Sequence, residues 1–238
     1  MEMSINPARI SLLEYQHLSD MPFQSLNRRT LAAAAKKLAE REPHLRTSFE
    51  LYGIPPLWDR PQGFATLLQI ILEQQVSLAS AKACFDKLCV RVGELTPTAL
   101  LECTDAELRA DGFSRQKTAY GRHLAESILE RRIDLDALST LSDEAAKAEL
   151  TKLKGVGEWT SDIYLLMALC RPDIMPKGDL ALHIAWHKLS GEPRPETDEF
   201  LEIAERWRPY RSVAARMLWH FYLSERQNGR SRKVVAKS

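Results

Sequence analysis

Two glycines, Gly155 and Gly157, interrupt an otherwise helical run in this 238-residue chain. The surrounding sequence is Leu153-Lys154-Gly155-Val156-Gly157-Glu158-Trp159-Thr160, with helical patterns on both sides. Glycine tolerates positive φ and lets another backbone come close, so Gly-x-Gly between helices forces a sharp hairpin. An ordinary αα turn closed by a glycine cap has the same signature. A dinucleotide fingerprint fits less well, because no strand precedes and the third glycine is missing. Amides at the start of the second helix, with the positive end of its dipole, favour an anion. Such a grip holds a phosphate backbone in register without reading sequence. About twenty residues on, Pro176-Lys177-Gly178-Asp179 sets a lone carboxylate at the mouth of the next helix.

Helical periodicity dominates the rest, and no convincing alternating strand appears. Residues 28–41 place Leu31, Ala35 and Leu38 on one face, and Pro43 ends the run. Gly53, Pro55, Pro56, Pro61 and Gly63 mark residues 53–63 as a linker. A long helical stretch runs from Phe64 to about Val92, with a break near Gln75–Ser77. Thr96 caps a helix that has Pro97 at its first position. Thr104-Asp105-Ala106-Glu107 is a capping box. Further helices are predicted over 114–132, from Ser142 to about Lys152, over 158–170 and 179–189, and near 196–206 and 210–226. Many short helices with short links predict an all-α fold. Residues 1–20 carry no clear pattern.

Composition narrows the class. At 45% hydrophobic and 27% charged residues the chain can bury a core. No apolar run approaches the roughly 20 residues that span a bilayer, and no basic n-region precedes an apolar h-region at the start. The four cysteines form no C-x-x-C pair and read as reduced structural thiols. The net charge of +1 does not advertise a polyanion partner, although Arg226, Arg230, Arg232, Lys233 and Lys237 make the last residues locally basic. That tail reads either as a solvated end or as a weak phosphate attractor.

The Leu-x-Gly-Val-Gly-x-Trp-Thr run with Pro-x-Gly-Asp downstream resembles the helix-hairpin-helix base-excision DNA glycosylases, and within them the 3-methyladenine DNA glycosylase II group. Three other segments agree: Ile71-Leu72-Glu73-Gln74-Gln75-Val76-Ser77, Gly112-Phe113-Ser114-x-x-Lys117, and Trp207-Arg208-Pro209-Tyr210-Arg211-Ser212 with Trp219 beyond. The resemblance covers roughly residues 60–225 in order. It implies two helical subdomains with the active-site cleft between them: residues 64–171 with the hairpin, and residues 1–63 with 172–238, carrying the catalytic aspartate. The separate N-terminal α/β domain of some relatives is expected to be absent. The implied partner is double-stranded DNA with damaged bases, bound by a monomer in a bacterial cytoplasm with no membrane. Modest, salt-sensitive affinity is expected.

The resemblance also assigns roles. Asp179 falls at the catalytic aspartate, where a fixed carboxylate stabilises the oxocarbenium-like sugar; it reads equally as an N-cap after Gly178. Trp159 and Trp219 line a pocket for a flipped base, suited to a cationic ring, or pack in the core. Tyr164 lies one residue past an expected pocket aromatic, and Ile163 occupies that site. Gly155, Val156, Gly157 and Thr160 grip phosphate. Gln75, beside Ser77, is the wedge that fills the gap left by the base, or a solvent-facing residue; Gln74 reads also as a buried structural amide. Lyase-type relatives carry a lysine where this chain has Trp159, so a monofunctional enzyme is expected. The cysteines do not match the spacing of an iron–sulfur cluster, no cofactor is expected, and the hairpin carbonyls are implied to hold Na+ or K+. His183 and His187 sit at i, i+4, but Ile184 replaces a general-base glutamate and no third zinc ligand is evident. The implied reaction is removal of 3-methyladenine and 7-methylguanine. A non-catalytic DNA-binding module and a glycosylase for hypoxanthine, ethenoadenine or an oxidised base are the alternatives.

Overall fold

In the computed structural model residues 25–235 are described, with side chains to residue 228. The described residues open on a cap. Asn27 Oδ1 accepts the amides of Arg29 and Thr30, and Thr30 Oγ1 accepts the amide of Asn27. This starts α1 (Arg28–Arg41), which buries Leu31, Ala34, Ala35, Leu38 and Ala39 along one stripe. Pro43 ends that helix but also starts the next: α2 (Pro43–Tyr52) has proline at its first position, where the missing N–H costs nothing. The sequence reading saw only the stop.

The linker leads into α3 (Phe64–Glu73), whose Phe64, Thr66, Leu67, Leu68, Ile70, Ile71 and Leu72 are all buried. A helix apolar on nearly every side belongs at the centre of a bundle. Around it lie α4 (Leu78–Val92), α5 (Pro97–Glu102), α6 (Asp105–Asp111), α7 (Arg115–Leu129), a 3-10 turn at Ala137–Thr140, α8 (Asp143–Thr151) and α9 (Glu158–Met167). The predicted starts at Thr96, Thr104 and Ser142 appear as side-chain caps of α5, α6 and α8, and Ser77 and Ser114 cap α4 and α7 in the same way. Then follow α10 (Leu180–Ser190), α11 (Thr197–Glu205) and α12 (Arg211–Val235), and no strand occurs among the described residues. None of the described helices is long and apolar enough to cross a membrane.

Packing sorts these helices into two groups. Helix α3 packs on α4, α7 and α9, with α5 on α7 and α8 on α9. Helix α12 packs on α10, α1 and α2. Two buried arginines brace the structure where the chain passes between groups. Arg171 Nη2 donates to the carbonyls of Ser139 and Leu141 at 3.0 and 2.8 Å, closing the 3-10 turn. Arg216 donates to Leu57, Ser212 and Leu166 carbonyls at 2.7, 3.1 and 2.7 Å. Burial lowers the Arg216 pKa to about 10, still far above neutrality. The Arg208–Ser212 segment fixes the strand-like stretch before α10. Arg211 and Arg208 bind Asp173 at 3.0 and 2.8 Å, and Ser212 Oγ exchanges hydrogen bonds with the backbone of Ile174.

Candidate active site

Asp179 is the N-cap of α10, and its Oδ1 accepts the amides of Ala181 and Leu182 at 3.0 and 3.2 Å. The capping reading of the sequence therefore holds, and it is half the story. Trp159 Nε1 donates to Asp179 Oδ2 at 3.0 Å, and Trp219 Nε1 donates to Oδ1 at 3.2 Å. Two indoles from different helices, 20 and 40 residues away in sequence, thus converge on one carboxylate. Oδ1 receives three donors and Oδ2 one. Trp219 is 8% exposed, while Trp159 is half-buried. Leu180, next in the chain, stands 58% exposed at the mouth.

A third aromatic, Trp58, was hidden in the linker. Its ring meets Trp219 edge to face, centroids 6.4 Å apart at 71°. Its φ of +49° is one that bulky side chains rarely adopt. The chain holds it there from both sides: Arg216 grips the Leu57 carbonyl at 2.7 Å and the Arg60 amide donates to Met167 O at 3.0 Å. Trp58 also contacts His220, whose pKa is lowered by burial. The only sequence signal was a tryptophan among prolines, where solvent exposure would be wasteful.

The hairpin lies between α8 and α9. Gly155 has φ +87°, and a Cβ there would fall 2.2 Å from the Tyr120 ring, so only glycine fits. Gly157 differs: its φ is −99°, and a Cβ would meet nothing within 4 Å. Its bareness opens space over the start of α9, a helix with no side-chain cap. First-turn amides lack partners inside their helix, so this end can receive an anion. Val156 is buried and plugs the hairpin from beneath.

Two expected site residues are corrected. Tyr164 is fully buried, and its phenolic oxygen accepts the Gly63 amide at 2.9 Å; it braces the start of α3 and lines no pocket. Burial raises its pKa to about 12. Thr160 is buried too, with its hydroxyl accepting from Gln74 Nε2 at 2.8 Å, so it does not offer that hydroxyl to phosphate. Gln74 also donates to Gly155 O at 2.8 Å, the structural amide of the sequence reading. It ties the end of α3 to the hairpin.

Gln75 stands exposed at that turn with φ +57°. Val76 and Leu78 beside it are 45% and 59% exposed, apolar neighbours that the sequence reading passed over. Ser77 Oγ caps α4 by accepting the Ser80 amide at 3.2 Å. Lys117 Nζ donates to the Leu72 carbonyl at 2.6 Å, supporting the same corner. His183 and His187 each bond a nearby carbonyl, of Pro195 and Glu192, and no group of three metal-binding side chains occurs among the described residues.

A carboxylate held by two indoles, an uncapped helix start behind a glycine hairpin and an exposed glutamine are set on one helix-hairpin-helix frame. Residues 68–209 match the HhH-GPD superfamily of base excision DNA repair proteins, and the chain belongs to that superfamily. It is 30% identical over 159 residues to the alkylbase DNA glycosidase-like protein mag2 of Schizosaccharomyces pombe, a match covering 64% of this chain and 75% of the relative. The solved Schizosaccharomyces pombe 3-methyladenine DNA glycosylase Mag1, in complex with abasic DNA, superposes with a TM-score of 0.73 at 27% identity, over 79% of this chain and 95% of that one. A DNA-3-methyladenine glycosidase from Bacillus halodurans gives 0.68 at 28% identity, over 79% and 88%.

Proposed function

We propose that this protein is a monofunctional DNA glycosylase that hydrolyses the N-glycosidic bond of alkylated purines, 3-methyladenine foremost and 7-methylguanine with it. The observation that carries the reading is the convergence of Trp159 and Trp219 on the Asp179 carboxylate. Aromatic faces flank the same point at which a negative charge is fixed. A base alkylated on its ring carries positive charge, which an electron-rich indole face attracts. Such a base also leaves without being protonated first. The site then needs only to stabilise the sugar cation and to seat water, and Asp179 does the first by proximity. Its hydrogen bonds lock one orientation, so little reorganisation accompanies bond cleavage.

The chain's remaining parts serve base flipping. The α8–α9 hairpin holds a backbone phosphate, and Gln75 fills the vacated stack and bonds the orphaned base. Trp159 occupies the position where lyase-type relatives carry lysine, so no amine stands at that position for a Schiff base; Lys177 nearby is paired with Glu158 at 2.9 Å. The reaction as proposed uses no cofactor. Gly155 and Leu153 carbonyls each accept one hydrogen bond and keep a lone pair, so the hairpin fits a monovalent cation that would add positive charge beside the phosphate. The two helix groups form two subdomains with the cleft between them. One chain carries acid, pocket, wedge and hairpin, so the enzyme works as a monomer, in the cytoplasm beside the chromosome.

The test is a panel of duplexes carrying methylated, deaminated, etheno-modified or oxidised bases, scored for free base and for strand scission. Release from methylated duplex without scission is expected. Release only from a neutral lesion would reassign the substrate, and binding with no release from any duplex would reduce the protein to a DNA-binding module.

A further inference from the structure

Asp162, on α9, is nine-tenths buried and more, with 1% of its side chain exposed, yet neither the pocket nor the hairpin uses it. Its Oδ2 accepts the backbone N–H of Lys177 at 3.1 Å, two residues before Asp179. Its Oδ1 lies 2.5 Å from Nζ of Lys147, on α8. Burial pushes the carboxyl's pKa up, and the Lys147 ammonium opposes that shift.

The turn that carries Asp179 is therefore held to α9 at three points. Lys177 Nζ pairs with Glu158 at 2.9 Å, Trp159 Nε1 reaches Asp179, and Asp162 takes the Lys177 amide. The first is an exposed ion pair, which restrains little. The second links groups that both face the substrate. Only the third grips the turn's backbone, and it does so from a side chain that is 1% exposed. A lone amide donor would be satisfied by any oxygen, including that of asparagine. The carboxylate adds the bond to Lys147, which brings in the first helix of the hairpin.

We propose that Asp162 is a positioning residue: through its bond to the Lys177 amide it holds the 176–179 turn so that Asp179 stays in reach of both indoles. The proposal rests on Asp179 being the catalytic carboxylate of the proposed function.

The two bonds are separable by substitution. Asp162→Ala removes both; Asp162→Asn keeps an oxygen for the Lys177 amide and drops the ion pair; Lys147→Met drops the ion pair alone. The measurement is single-turnover release of 3-methyladenine at saturating enzyme, with affinity for an abasic-site duplex and tryptophan emission recorded beside it. Asp162→Ala should slow release by about 100-fold, the scale of a 1 Å misplacement, while abasic-duplex affinity stays within about twofold. Its emission should shift as the indoles lose Asp179. Asp162→Asn and Lys147→Met should remain within about fivefold of wild type, with unshifted emission. Asp162→Ser, whose shorter side chain draws the acceptor back, replaces alanine if that variant does not fold, with the same loss expected. A wild-type rate in Asp162→Ala, equal losses in Asp162→Ala and Asp162→Asn, or rate and affinity falling together would overturn the proposal while wild type remains active. A wild type that releases no methylated base overturns the proposed function instead, and this inference with it.

Discussion

Two tryptophan N–H groups on one carboxylate make different demands from two tryptophan faces on one base, and substitution separates them. Phenylalanine keeps the face and loses the donor. Trp159→Phe and Trp219→Phe should each lower the single-turnover rate about tenfold, since each removes one of the bonds that orient Asp179, whereas alanine at either position should also weaken capture of the base. Equal effects of phenylalanine and alanine in base-release kinetics would show that only the N–H donors matter, and a wild-type rate in the phenylalanine variants would show that only the faces do. The two hairpin glycines should part company as well. Gly155→Ala puts a methyl into the Tyr120 ring at a left-handed φ and should cost about 3 kcal/mol in denaturant unfolding. Gly157→Ala has room and an ordinary φ, so stability should hold while duplex binding weakens roughly tenfold as the methyl enters the phosphate's space. At this scale residue type and spacing were informative: Asp179 caps α10 and Gln74 is a structural amide, as expected, and the structure brings Trp159 and Trp219 onto the Asp179 carboxylate. The sequence misled at Tyr164, because a helix offers its aromatic to whichever side is buried, and one residue of offset turns the side chain about 100°. Trp58 was illegible, since its proximity to Trp219 depends on a linker path that no local pattern encodes.

Single elements here act through their joints. Gln74 links the end of α3 to both the Gly155 carbonyl and the Thr160 hydroxyl, so the end of α3 and the hairpin form one corner. Gln74→Leu keeps the volume and breaks both bonds. It should cost about 1–2 kcal/mol in thermal or urea unfolding. It should also reduce binding to an abasic duplex more than Gln75→Ala reduces folding stability, because Gln75 is exposed. Unchanged stability and binding in Gln74→Leu would sever the end of α3 from the hairpin. Helix starts were well marked in the sequence, as Ser and Thr caps declare themselves through a specific hydrogen bond. Helix ends were not: α9 stops at Met167 rather than Cys170, and α2 went unseen because Pro43 signals a stop and a start alike. The break at residues 74–77 was visible only as a loss of periodicity.

Across the whole molecule, two helix groups meet where Asp179, the tryptophans and the buried arginines lie. The all-α class and the order of helices followed from periodicity and caps. Which helices share a group did not follow from them and was expected only from the family resemblance, because long-range packing of α1 and α2 with α10 and α12 leaves no trace in local sequence. Residues 1–24, whose first twenty carry no clear pattern, lie outside the described residues, as do the side chains of the basic tail beyond residue 228. Stability should carry the mark of this junction in its pH dependence. His220 packs against Trp58 and Tyr52, and burial lowers its pKa below the ordinary 6.5. A group whose folded pKa is depressed contributes stability present above its unfolded pKa and lost as pH falls through the folded one. Melting temperature should therefore drop as pH falls below 6.5, and His220→Gln should flatten that drop. An identical pH profile in the variant would remove His220 from the account.

The central claim is that Asp179 supplies the charge that breaks the glycosidic bond. Asparagine caps a helix as well as aspartate does, so Asp179→Asn isolates the charge from the fold. The decisive measurement is release of 3-methyladenine from methylated duplex DNA under single-turnover conditions, wild type beside Asp179→Asn at matched melting temperature. Release by wild type with a loss of at least about 100-fold in the variant is the expected result. Equal release by both proteins would contradict the account, because the carboxylate on which the pocket converges would then play no part in the chemistry.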